Sequence, residues 1–202
     1  MTPPETDDEL FTAAQRGDEE AFLALYRRRQ GAIYRFAMHM SGSTAAAEDI
    51  TQEVFLALLR GDWGYDPERG SLSSYLFGIA RKLVLRQLER TYADVSLDEH
   101  PPEAVSAAND SAPDPYDALN ERERIEALRR AVVSLPRRYR EVVVLCDLEE
   151  MDYADAAAVL GCPIGTVRSR LHRARGLLLE KLDRGHRSRS PVQALKPVRC
   201  LI

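Results

Sequence analysis

Cysteine is scarce: Cys146, Cys162 and Cys200 are the only three in 202 residues, and no two stand at C-x-x-C spacing. That argues against a structural zinc site. Cys200 has only two residues after it, too few for a prenylation box of the usual length. Long apolar runs are missing, and nothing approaches the roughly 20 residues of a membrane span. The first residues, Met1 to Glu9, are acidic and lack an apolar signal core. These absences predict a cytoplasmic protein without membrane insertion. No alternating strand pattern stands out. The four histidines, His39, His100, His172 and His186, are scattered, and no nucleophile–base pair or metal-ligand set forms. The expectation is therefore no catalytic residue, no metal, no cofactor and no small-molecule substrate. An excess of positive charge is lacking too. At a net charge of −4 the chain is no uniform DNA coat, and any affinity for nucleic acid must come from local asymmetry.

Helical periodicity runs through most of the rest. Phe22, Leu25, Tyr26, Ile33, Phe36, Ala37 and Met40 recur at helical spacing. Ser41-Gly-Ser-Thr44 breaks that block and offers capping hydroxyls. A helix over about 45–60 would bury Ile50, Val54, Ala57 and Leu58 and turn Asp49, Gln52, Glu53 and Leu56 elsewhere. Residues 61–70 read as a loop from their Gly and Pro content. The next helix, about 71–91, carries Leu72, Leu76, Ile79, Leu83 and Leu88 inward, with Arg81, Lys82, Arg86 and Arg90 along its length.

Composition then changes. Residues 93–117 hold four prolines and seven acids with no Lys or Arg, the signature of an extended acidic linker. A second helical block follows to about 182, broken at Leu135-Pro136, near 149–152, and at Gly161. The predicted fold class is all-α: two small helical domains, 10–92 and 118–183, joined by the linker 93–117 and followed by a disordered basic tail, 184–202.

The stretch Tyr153–Arg175 is the most informative. Ala157 lies where a second helix must pass close. Gly161 falls where the chain needs a left-handed conformation, which costs glycine little. Pro163 suits the first turn of the next helix. There Ile164, Val167, Leu171, Ala174 and Leu178 form the buried stripe, and Gly165, Ser169, His172 and Arg173 point away from it. Thr166, Arg168 and Arg170 flank that outer row, and Arg175 sits near the buried edge. This is the layout of a helix-turn-helix that enters the DNA major groove. An arginine there can grip guanine bidentately, at about 1–3 kcal/mol of discrimination. The candidate DNA contacts are Thr166, Arg168, Ser169, Arg170, His172, Arg173 and Arg175, some of the arginines holding phosphates.

Three segments together resemble a known family, the bacterial extracytoplasmic-function (ECF) sigma factors of the sigma-70 group. Ala47-Glu-Asp-Ile-Thr-Gln-Glu-Val-Phe55 is similar to that family's core-polymerase binding helix. Asp66-Pro-Glu-Arg-Gly-Ser-Leu-Ser-Ser-Tyr-Leu-Phe-Gly-Ile-Ala-Arg81 resembles its promoter-melting segment. Leu135-Pro-Arg-Arg-Tyr-Arg-Glu-Val142, with the helix-turn-helix, resembles its −35 reader. The resemblance implies a transcription initiation factor, not an enzyme. It implies contact with the coiled coil of the polymerase's largest subunit through Asp49, Gln52, Glu53 and Leu56, and with the polymerase flap. It also implies −10 capture and melting by Trp63, Tyr65, Arg69, Tyr75, Phe77, Arg81, Lys82 and Arg86, in which aromatics stack on bases and cations meet phosphates. Promoter DNA is the implied ligand and an anti-sigma factor a further partner. Tyr75 stands where many members carry Trp, Lys82 where Asn is common, and Gly78 where a larger residue is usual. The rival class is a helix-turn-helix regulator with a helical sensing or dimerisation domain. A redox switch built on the cysteines has little support from their spacing.

The linker passes a test of reach. Twenty-five residues extend to about 80–90 Å. Two elements separated by two turns of DNA lie on the order of 70 Å apart.

Overall fold

The computed structural model describes residues 6–61, 64–95 and 115–187, and every regular element among them is helical. The first helix, α1 (Asp7–Gln15), opens on a capping box: the Thr6 hydroxyl accepts from the Glu9 amide, and the Glu9 carboxylate accepts from the Thr6 amide. Its Leu10 and Phe11 are buried. Apolar periodicity alone gives no sign of this helix, although Thr6-Asp-Asp-Glu9 carries the capping signature. Asp18 caps α2 (Glu19–Ser41), which ends on Gly42 in a left-handed conformation, φ 74°. Ser43 then caps α3 (Thr44–Arg60). A 3-10 turn (Pro67–Arg69) leads into α4 (Leu72–Val95), which outruns its expected end near 91.

The N-terminal core forms where α2, α3 and α4 bring together Leu25, Ile33, Phe36, Met40, Val54, Leu72, Leu76 and Val84. The C-terminal unit begins at α5 (Pro115–Val133), inside the stretch expected to be linker. It continues through α6 (Arg137–Val143), which widens into a π-helical turn at Val144–Leu148. The helices α7 (Tyr153–Leu160) and α8 (Ile164–Arg187) complete it. Val132, Leu135, Val142, Val144, Leu145, Ala156, Val167, Leu171 and Ala174 fill its centre. The remaining linker, 96–114, and the tail from 188 lie outside the described residues.

The two units do not stand apart. Helix α4 packs on α7, and α2 on α5. The Arg81 Nε donates to Glu141 at 3.0 Å, and Glu141 is only 3% exposed. Arg35 grips Glu149 bidentately at 3.1 and 2.7 Å. One Arg140 nitrogen donates to the Met40 carbonyl at 2.7 Å, and the Ser71 hydroxyl donates to Asp155 at 3.1 Å. Charged groups drawn from both units thus close the molecule upon itself.

Candidate polymerase and DNA surfaces

Helix α3 divides cleanly. Ile50, Val54, Ala57 and Leu58 are buried, whereas Asp49, Gln52, Glu53 and Leu56 are exposed together along the opposite face. Leu59 joins them, so two carboxylates and an amide share the face with two exposed leucines. Glu53 lies 3.7 Å from Arg60, an exposed pair that contributes little. Beside Gln52 runs a shallow groove between α2 and α3, lined in part by Tyr26, Gln30, Tyr34 and Thr51. The face offers both charge complementarity for basic side chains and apolar surface for a helix.

The expected melting residues separate in the structure. Trp63 lies outside the described residues. Arg69 sits in the 3-10 turn, which Asp66 caps. Tyr65 and Tyr75 are half-buried with ring centroids 5.2 Å apart, and Tyr65 meets Phe11 edge-on at 5.5 Å. The Tyr65 hydroxyl donates to Asp8, and burial together with that carboxylate pushes the phenol well above its ordinary range. Phe77 is a correction to the sequence reading: it is 3% exposed and packs edge-on against Phe36, so no face remains for a base. Arg81 is tied to Glu141, whereas Lys82 and Arg86 are exposed one turn apart.

In the helix-turn-helix, Asp152 caps α7, and Gly161 ends it at φ 64°. Ala157 and Val167 are both buried, as the frame requires. Ile164 is another correction: it is 42% exposed, because it stands in the first turn of α8 beyond the edge of the core. Arg168, Ser169, His172 and Arg173 form the exposed outer row, with Thr166 and Arg170 half-buried at its sides. The Ser169 hydroxyl donates to the Thr166 carbonyl at 3.1 Å. The Arg173 guanidinium near the Tyr139 hydroxyl holds that phenol below its ordinary range. Arg175 is exposed but clamped by Asp147 at 3.0 and 2.5 Å, so its guanidinium is committed within the protein. Arg168 lies over the Tyr153 ring, 5.8 Å from its centroid.

Sequence reasoning missed the acidic partners Glu141, Glu149, Asp155 and Asp147. Glu141 carried a signal: it is a lone carboxylate in front of Val142-Val-Val144, where burial demands a counter-charge. Cys146 is half-buried, and burial together with Asp147 raises its thiol to about 11. Against an ordinary value of 9.0, that lowers the thiolate fraction about 100-fold at pH 8. Site-resolved alkylation with iodoacetamide should therefore label Cys146 far more slowly in the folded chain than in urea. Equal rates would contradict this burial.

Two family descriptions match the chain: "Sigma-70 region 2" over residues 25–92 and "Sigma-70, region 4" over residues 125–178. The ECF RNA polymerase sigma factor SigC of Mycobacterium tuberculosis is 32% identical over 89% of this chain and 95% of that protein. SigE of Mycolicibacterium smegmatis, also an ECF RNA polymerase sigma factor, is 34% identical over 82% of the chain, which spans 64% of that longer relative. Among solved structures, the sigma factor RpoE of Bartonella quintana, in complex with the anti-sigma factor NepR, is 27% identical. It superposes with a TM-score of 0.63 over 76% of this chain and 91% of that one. A regulator working apart from polymerase does not account for the region 2 match. The chain belongs to the sigma-70 family as an ECF RNA polymerase sigma factor, a transcription initiation factor that directs RNA polymerase to promoters and not an enzyme.

Proposed function

We propose that the chain divides promoter recognition between its two helical units. The α3 face of Asp49, Gln52, Glu53 and Leu56 binds the coiled coil of the largest polymerase subunit, where its carboxylates meet arginines and its leucine meets apolar helix surface. Tyr65, Tyr75, Arg69, Lys82 and Arg86, with Trp63, engage the −10 element as it opens, and Arg81 joins them once Glu141 releases it. Thr166, Arg168, Ser169, Arg170, His172 and Arg173 read the −35 element, and the C-terminal unit also meets the polymerase flap. The observation that carries this reading is the outer row of α8, four exposed polar residues on the helix that a helix-turn-helix inserts into the major groove. An anti-sigma factor holds the chain inactive until a signal arrives, as NepR is bound to RpoE. The chain acts in the cytoplasm, and no helix among the described residues is long and apolar enough to cross a membrane.

Reconstituted transcription on a randomised promoter library tests the proposal. Core polymerase with this chain should select promoters that share two elements about two helical turns apart. Specific DNA binding by the chain alone, with no transcript in the presence of core, would establish a regulator instead.

A further inference from the structure

We infer that Tyr153 is a positioning residue for Arg168, holding its guanidinium in the attitude from which α8 reads the −35 element. The inference rests on the proposed reading of α8. Arg168 and Arg175 are seven residues apart, close to two helical turns, so they lie along one flank of the recognition helix. Tyr153, the first residue of α7, stands beside that flank. Its ring lies under Arg168, 5.8 Å from centroid to guanidinium carbon. Arg175 lies near Tyr153 on the same flank. Arg175 is in turn fixed by the bidentate grip of Asp147, which projects from the π-helical turn.

Two contacts thus order this flank: Asp147 holds Arg175, and the Tyr153 ring lies beneath Arg168. The backbone beneath Tyr153 is fixed as well, because the Asp152 carboxylate accepts from the Asp155 amide at 2.8 Å. Tyr153 is 38% exposed, too open for its ring to be explained as core. A free arginine side chain samples many rotamers, and a ring beneath it removes some of that freedom before DNA arrives. Arg175, expected from sequence to touch DNA, is instead held by Asp147 on the same flank.

The test uses the full chain with core polymerase and measures base preference across a −35 library. Arg168→Ala should abolish preference at one base position. Tyr153→Leu should weaken preference at that same position by about two- to fivefold, the scale of an exposed cation–π contact. Tyr153→Phe keeps the ring and should lose less. Adding Tyr153→Leu to Arg168→Ala should change nothing further at that position. The inference is overturned if Tyr153→Leu leaves the preference intact, or weakens binding equally on every sequence. If Arg168→Ala itself leaves base preference unchanged, the reading of α8 fails and takes the inference with it. If Arg168→Ala relaxes the preference and Tyr153→Leu does not, only the inference fails.

Discussion

Glu141→Arg is expected to open the molecule, raising the radius of gyration of the free chain by roughly 5 Å above the ~17 Å of a compact chain this long. Glu141 is buried against Arg81, itself about a quarter exposed, at the seam between α4 and α6. Reversing its charge sets two guanidinium groups against each other in a partly desolvated place, where even losing one partner costs about 3–5 kcal/mol. Small-angle scattering reads the outcome. The swap Arg81→Glu with Glu141→Arg should restore the compact form. An unchanged radius in the single variant would show that this pair does not hold the units together. The consequence for function is steric and electrostatic: Arg81 cannot meet a phosphate while Glu141 holds it.

Glu149 behaves differently, though it too crosses the seam. Burial pushes its carboxyl above the ordinary range, against the opposing pull of Arg35. A raised value in the closed form means that protonation favours closure. As pH falls through that raised range, this group therefore adds to closure. The neutral Glu149→Gln should stay compact at neutral pH. His39 works the other way: burial, with Arg129 and Arg35, lowers its imidazole, so closure weakens as pH falls below about 6.5.

The second large effect concerns the α3 face. Asp49→Lys with Glu53→Lys should reduce affinity for core polymerase at least about 100-fold, because two attractions become repulsions at a desolvated contact. Stability should barely change, since both side chains are exposed and such substitutions usually stay within about 0.5 kcal/mol each. Pull-down with core polymerase and a thermal melt together decide the matter. Full binding by the double variant would remove α3 from the interface.

The sequence alone determined most of the helices and the recognition motif, though not α1 or the start of α5 at Pro115. These features follow from local rules: capping residues such as Asp18 and Ser43, left-handed glycines such as Gly161, and apolar residues repeating at the helical period. It also placed Asp49, Gln52, Glu53 and Leu56 on one face, because a helix fixes that geometry by itself. Tertiary structure decided which side chains remain available. It buried Phe77 against Phe36, committed Arg175 to Asp147 and paired Arg81 with Glu141. Spacing gives a residue its side of a helix. What covers that side comes from chain far away, 28 residues for Arg175 and 60 for Arg81, and no local pattern encodes it.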